Sequence, residues 1–315
     1  MILASILLIL GFIILIKGAD LFVTGASTWA SRMRISQVVI GLTVVAFGTS
    51  APELFINIFA ALSKNSDISF GNIVGSNIVN ILLILGIAGM MHPLHTQKNT
   101  VWREIPFAFL AALVLLIMVN DIYFNTGTNV ISRGDGLILI LFFSIFLTYT
   151  FAISKVESSD TPEIKDLSSL KITVFIVGGL IFLIGGGKLV VDNALTIARL
   201  MGMPERVIAL TVVAIGTSLP ELATSAVAAY RGKTDIAIGN VVGSNIFNIF
   251  LILGLTVIIN PIHLLQAIHI EMGILLLASA LLFLTMFTGK RRVIDRWEAL
   301  ILVIIYIGYT TFLMM

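Results

Sequence analysis

The sequence predicts an all-α integral membrane protein of about ten transmembrane helices, arranged as two inverted five-helix repeats. Three observations carry that expectation: the composition, the recurrence of long apolar stretches, and a pair of motifs that occurs twice at one fixed spacing. Of 315 residues, 58% are hydrophobic and only 11% are charged, more apolar surface than a soluble chain of this length has cores to bury. Lipid is the solvent that such a chain requires.

Apolar stretches able to cross a hydrocarbon layer of ~30 Å, at ~20 residues each, run approximately over residues 2–23, 35–62, 68–91, 105–120, 136–153, 170–198, 207–230, 236–259, 270–287 and 298–314. Within lipid every backbone polar group must be satisfied internally, so the spans are expected to be helices. A β-barrel would need short alternating segments, which are missing. The first stretch has no basic leader and continues past Lys17 into Gly18, Ala19 and Asp20, so it reads as a retained helix and not a cleaved signal. Cysteine is absent, which excludes disulfides, thiolate metal sites and a cysteine nucleophile. The net charge of +2 points to no particular partner. The bilayer is the expected one, with no nucleic acid, no resident cofactor and no particular oligomeric state implied.

One stretch is solvent-like: residues 154–169 carry Glu157, Asp160, Glu163, Lys165 and Asp166 around Pro162. It is expected to link a first repeat, residues 1–153, to a second, residues 170–315. Orientation follows from the basic residues, which accumulate in cytoplasmic loops. Loops after the odd-numbered spans hold thirteen: Arg32, Arg34, Lys98, Arg103, Lys155, Lys165, Lys171, Arg231, Lys233, Lys290, Arg291, Arg292 and Arg296. The opposite loops hold four: Lys64, Arg133, Arg199 and Arg206. The bias predicts a multi-pass protein of the cell membrane with a cytoplasmic linker and both termini outside.

Self-similarity settles the plan. Residues 41–54 reappear as residues 209–222, and residues 68–80 as residues 236–248. Thr49 against Thr217 and Ser76 against Ser244 both differ by 168. A constant offset implies duplication of a five-span unit, and an odd number of crossings inverts the second copy. Transporters of this architecture place their substrate near the midplane between the repeats.

The duplicated motifs carry the chemistry. Glu53 and Glu221 lie inside apolar spans, where an ionisable group is costly and calls for a partner or a purpose. Each has a Thr four residues earlier (Thr49, Thr217) and a Ser three earlier (Ser50, Ser218), a spacing that puts all three on one helical face. Pro52 and Pro220 deprive the carbonyls of Gly48 and Gly216 of their backbone donor, which is tolerated at membrane depth where the chain lines a cavity. A second stripe, Asn72, Ser76 and Asn80, is matched by Asn240, Ser244 and Asn248. Amides and small residues also glue helices together, and Asn72, Asn77, Asn240 and Asn245 fit that role equally well. Two carboxylates with hydroxyl, amide and carbonyl oxygens, and no His, Cys or thioether, suit a hard cation such as Ca²⁺.

Other signals carry less. Gly185, Gly186, Gly187 and Lys188 lack the first Gly and the final Ser or Thr of a phosphate loop, since Phe182 and Leu189 stand there. Lys17 with Asp20 and Lys188 with Asp192 have the spacing of local ion pairs near span ends. His92, His95, His263 and His269 fall in loops on opposite faces. Neither Ser50 nor Ser218 has a His or Lys at helical spacing, so an intramembrane enzyme is not expected. A gated cation channel would use similar oxygens but would build its filter around an axis shared by subunits.

At these motifs the sequence resembles the cation/calcium antiporter superfamily, whose two inverted α-repeats carry Gly-Thr-Ser-x-Pro-Glu and Gly-Ser-Asn-x-x-Asn. The match falls at residues 48–53, 75–80, 216–221 and 243–248. The resemblance implies an antiporter of the sodium/calcium exchanger type that moves Ca²⁺ against Na⁺. Its ion site would be formed by Thr49, Ser50, Glu53, Ser76 and Asn80 with Thr217, Ser218, Glu221, Ser244 and Asn248. Backbone carbonyls near Ala46 and Ala214 would join for Na⁺. Asn248 stands where some relatives, including the potassium-dependent branch, carry Asp, which argues against K⁺ coupling. The proton-coupled branch, the alternative reading, shows Gly-Asn-Ala-Thr-Glu where this chain has residues 71–75 and 239–243 without the acid.

Overall fold

The computed structural model describes residues 1–120, 129–153, 167–202, 214–264 and 269–314. The predicted linker, apart from its last three residues, lies outside the described residues, as do Arg206 and residues 207–213 of the seventh predicted span. The described chain is helical, with four two-residue strands. Its helices are α1 (Ile2–Met33), α2 (Gln37–Thr49), α3 (Ala51–Leu62), α4 (Ile68–Met91), α5 (Thr100–Met118), α6 (Arg133–Ala152), α7 (Ser169–Leu200), α8 (Ala214–Gly216), α9 (Leu219–Tyr230), α10 (Thr234–Ile259), α11 (His269–Thr285) and α12 (Arg296–Leu313).

By length and apolarity, seven of these can cross a membrane, or eight when the bent pair α2 and α3 counts as one span. The other two expected spans correspond to α11, which is shorter, and to α9, which is preceded by residues outside the description. Peripheral helices turn large apolar side chains outward, among them Ile6, Ile13, Leu141, Ile145, Val174, Ile181, Ile304 and Ile307. That surface is costly in water and costless in lipid.

α1 runs ten residues beyond its predicted end at Val23. The polar residues there stay helical by bonding back one turn: Thr24 Oγ1 donates to the Asp20 carbonyl and Thr28 Oγ1 to the Thr24 carbonyl, both at 2.7 Å, as hydroxyls do where water is scarce. α1 packs antiparallel along α7. Gly11, Gly18 and Gly25 recur every seven residues on one helix, Gly179 and Gly186 on the other. A Cβ on Gly18 would lie 2.7 Å from the Leu183 nitrogen, and one on Gly186 2.6 Å from the Leu15 nitrogen. Only glycine lets the two backbones approach this closely.

α4 and α10 form the centre, and each packs against the broken helix of the other half: α9 against α4, and α2 with α3 against α10. Phe107 of α5, Phe142 and Phe146 of α6 and Phe250 of α10 close the core beside them, with ring centroids 5.4–5.7 Å apart. The strands also cross between halves. β1 (Leu94–His95) pairs antiparallel with β4 (Val293–Ile294), with Leu94 opposite Ile294. β2 (Val130–Ile131) pairs with β3 (Ile262–His263), with Ile131 opposite Ile262. β1 and β3 are separated by the same 168 residues as the motifs, so each half lends its strand to the equivalent ribbon.

Candidate functional site

α2 ends at Thr49 because Pro52 cannot continue its hydrogen-bond ladder. The chain turns at Ser50 (φ −80°, ψ 7°) and resumes as α3 at an angle of 47°. Pro52 then lies in the first turn of α3, where no donor is needed, and Glu53 lies in the same turn, where the helix dipole favours a carboxylate. The second half repeats the device: Ser218 (φ −88°, ψ 9°) precedes α9, whose first turn holds Pro220 and Glu221. α4 and α10 each contain a π-helical segment, at Val79–Ile84 and Phe247–Leu253, which include Asn80 and Asn248. Such segments loosen the backbone ladder and recur at functional positions.

The two breaks meet. Ser50 Oγ donates to Glu221 Oε1 at 2.9 Å, and Ser218 Oγ to Glu53 Oε1 at 3.3 Å, so each serine of one half holds the carboxylate of the other. Ser50 Oγ also lies 3.0 Å from Ser244 Oγ, which in turn lies 3.5 Å from Glu221 Oε1. Thr49 Oγ1 donates to Asn240 Oδ1 at 3.0 Å, and Thr217 Oγ1 to Asn72 Oδ1 at 3.4 Å. Glu53 and Glu221 are both 1% exposed. Two motif copies offset by 168 residues are thus joined crosswise in one buried polar centre.

Of the residues expected there, Thr49, Ser50, Glu53, Ser76, Asn80, Ser218, Glu221, Ser244 and Asn248 are buried, and Thr217 is half-buried. Five of them present an oxygen with no hydrogen-bond partner: Glu53 Oε2, Glu221 Oε2, Ser76 Oγ, Asn80 Oδ1 and Asn248 Oδ1. An unpaired buried polar atom costs about 1–3 kcal/mol, and more if charged, so each of these oxygens calls for a partner, whether a donor or a cation. The arrangement can take a desolvated hard cation, for which carboxylate, amide and hydroxyl oxygens are the natural ligands. The Ala46 carbonyl already accepts bonds from the Ser50 nitrogen at 2.9 Å and Thr49 Oγ1 at 3.3 Å. Ala214 opens α8 at the equivalent place.

Of the amides left open between glue and site, Asn72 and Asn240 accept the Thr217 and Thr49 hydroxyls, Asn77 Nδ2 donates to the Ile73 carbonyl of its own helix, and Asn245 bridges the halves. Asn80 Nδ2 donates to Asn245 Oδ1 at 3.0 Å, and Asn245 Nδ2 to the Asn77 carbonyl at 3.4 Å. Two supports went unnoticed in the sequence. Asn57 Nδ2 donates to the Glu53 carbonyl at 2.8 Å, and Ser225 Oγ accepts Asn240 Nδ2 at 3.0 Å. They stand one turn after the glutamates, 168 residues apart, and the spacing that aligned Thr49 with Glu53 would have found them. A further buried acid, Glu104, accepts the Tyr149 hydroxyl at 2.9 Å away from this centre. Asp20 pairs with Arg231 of the second half and not with Lys17. No group of His and acidic residues that could hold a metal occurs among the described residues.

The profile of the family described as sodium/calcium exchanger protein matches residues 3–152 and again residues 171–315. Among curated proteins, the putative antiporter CaxA of Alkalimonas amylolytica is 37% identical over 98% of both chains. The sodium/calcium exchanger MaX1 of Methanosarcina acetivorans is 33% identical over 96% of both. Among solved structures, the sodium-calcium exchanger NCX_Mj, soaked with Na⁺ and Sr²⁺, superposes with a TM-score of 0.84 at 34% identity, covering 98% of both chains. A family of multi-pass cation/calcium antiporters, and not of enzymes, is common to the whole length of the chain. This chain belongs to the sodium/calcium exchanger protein family.

Proposed function

We propose that the protein exchanges Ca²⁺ for Na⁺ by alternating access at the buried centre between its two halves. The observation that carries this reading is the reciprocal pair of serine–glutamate contacts with a free oxygen left on each carboxylate. Two carboxylates balance one Ca²⁺ or two monovalent ions, so the ions compete for the same charge. Thr49, Ser50, Glu53, Ser76 and Asn80 with Thr217, Ser218, Glu221, Ser244 and Asn248 form the site, and the carbonyls near Ala46 and Ala214 serve Na⁺. Na⁺ is favoured over H⁺ because Asn80 and Asn248 cannot titrate and the oxygens around the glutamates suit a small hard cation. The name of MaX1 as a sodium/calcium exchanger supports the same choice of ions.

The chain crosses the membrane ten times as two inverted five-helix halves, residues 1–153 and 170–315, joined by a cytoplasmic linker, with both termini outside. The ribbons support this count. β1 and β4 lie in the loops after the third and ninth spans, β2 and β3 in those after the fourth and eighth, so each pairing joins loops of one parity. Gln97 Nε2 donates to Asp235 at 2.9 Å, again joining loops after odd-numbered spans, and Arg231 after the seventh span pairs with Asp20 near the predicted end of the first.

Proteoliposomes loaded with Na⁺ and diluted into Na⁺-free medium are expected to take up ⁴⁵Ca²⁺ without a pH gradient. If more than two Na⁺ move per Ca²⁺, uptake also responds to the membrane potential, at about 2.3 kcal/mol per charge per 100 mV. Uptake that ignores internal Na⁺ and follows an imposed pH gradient would assign the protein to proton coupling. Uptake that needs no counter-ion would make it a channel.

A further inference from the structure

The loops after the third and ninth spans meet in the β1–β4 ribbon, and the basic residues there gather at one corner of the molecule. Lys98 and Arg103 flank the start of α5. Lys290, Arg291 and Arg292 precede β4, and Arg296 opens α12. All six are exposed, and none makes an ion pair with an acidic side chain among the described residues. The acids nearby are engaged elsewhere: Asp235 with Gln97, Asp295 with the Lys290 backbone nitrogen, Glu298 with Thr288 and the Asp295 nitrogen, and Glu104 with Tyr149. Arg292 stands at φ 63°, a backbone region that favours glycine or asparagine.

Beside this charge lies an aromatic cluster. Trp102 of α5 packs edge-on to Phe287 at 5.3 Å and to Phe283 of α11 at 6.1 Å, and Phe283 and Phe287 lie 5.0 Å apart. Trp102 is 57% exposed, Phe287 46% and Trp297, next to Arg296, 53%. Exposed tryptophans at helix ends mark the headgroup level of a bilayer. Unpaired cations at that level meet phosphate.

We propose that this corner is a docking site for an anionic phospholipid, with the phosphate held by Arg291, Arg292 and Arg296 and the acyl chains lying along Trp102 and Phe287. The aromatic face commits the site to a lipid and not to a free phosphate, which has no apolar part to bury there. The site lies outside the buried centre, and its assignment to the cytoplasmic leaflet rests on the proposed orientation. The lipid would stabilise the contact between the halves at the β1–β4 ribbon.

The test uses the full chain carrying W29F and W297F, so that Trp102 is the sole tryptophan, in phosphatidylcholine vesicles titrated with brominated phosphatidylglycerol. Quenching of Trp102 is expected to saturate at a low mole fraction, whereas brominated phosphatidylcholine quenches only in proportion to its abundance. Each basic side chain near a charged lipid surface contributes about fivefold, so R291A/R292A/R296A is expected to weaken phosphatidylglycerol binding by roughly a hundredfold. R291K/R292K/R296K, which keeps the charge, retains most of it, and K64A/R133A on the opposite face changes nothing. Equal quenching by both brominated lipids would overturn the proposal. So would full displacement by soluble glycerophosphate, or equal losses in the alanine and lysine triple variants.

Discussion

Glu53 and Glu221 are each held by a single serine across the halves, which separates two effects that mutation can read. Glu53→Gln or Glu221→Gln removes a charge that a divalent ion needs in a low dielectric, a penalty of several kcal/mol. Either is expected to abolish Ca²⁺ exchange in the proteoliposome assay while the protein still purifies as a folded species. Near-normal transport by both single variants would move the site elsewhere. Ser50→Ala and Ser218→Ala remove one hydrogen bond to a carboxylate, about 1.5–3 kcal/mol, so exchange should persist with the apparent Ca²⁺ affinity lowered by roughly ten- to a hundredfold. Ser50 also touches Ser244, whereas Ser218 has no second contact of this kind. The Ser50 variant is therefore expected to lose more, and equal losses would show that the second contact is idle.

Among the helices, α1 and α7 approach closely through glycines, against which the partner's backbone and side chains such as Val190 and Ile176 pack. Gly18→Ala places a methyl group 2.7 Å from the Leu183 nitrogen, which forces the helices apart. Overpacking of this kind costs about 1–3 kcal/mol, and the variant is expected to unfold at a lower temperature in detergent. Gly178→Ala, one residue from the seam, meets nothing within 4 Å. It removes a flexible residue from a helix interior, worth up to about 1 kcal/mol, and should be neutral or stabilising. A thermal-shift assay on both separates the seam from a general effect of alanine. The heptad of glycines was readable in the sequence, but its partner was not, because nothing along α1 says which of the other helices carries the complementary row.

For the whole molecule, orientation is the property that the loop charges predict and that a single label can check. Ser158→Cys introduces the sole cysteine into a cysteine-free chain, within the linker expected to be cytoplasmic. An impermeant maleimide is expected to label it in inverted vesicles and not from outside intact cells. Labelling from outside would reverse the orientation and carry the anionic-lipid corner to the opposite leaflet. It would leave the ribbon pairings untouched, since those depend on the parity of the loops and not on which side is which.

Sequence alone determined what is periodic or duplicated along the chain. Apolar runs announce helices in lipid because the backbone must satisfy its own polar groups there and the short alternating segments of a β-barrel are missing. The 168-residue offset announced that Glu53 and Glu221 are equivalent, and Pro52 and Pro220 that their helices break. Tertiary structure decided which groups meet. Each serine reaches the glutamate of the other half and not the one three residues away on its own helix, Asn245 bridges Asn80 and the Asn77 backbone across the halves, and Asp20 leaves Lys17 for Arg231. Local spacing fixes which face of a helix a side chain occupies. The partner on that face is fixed by how inverted helices cross, which depends on contacts between residues more than a hundred positions apart.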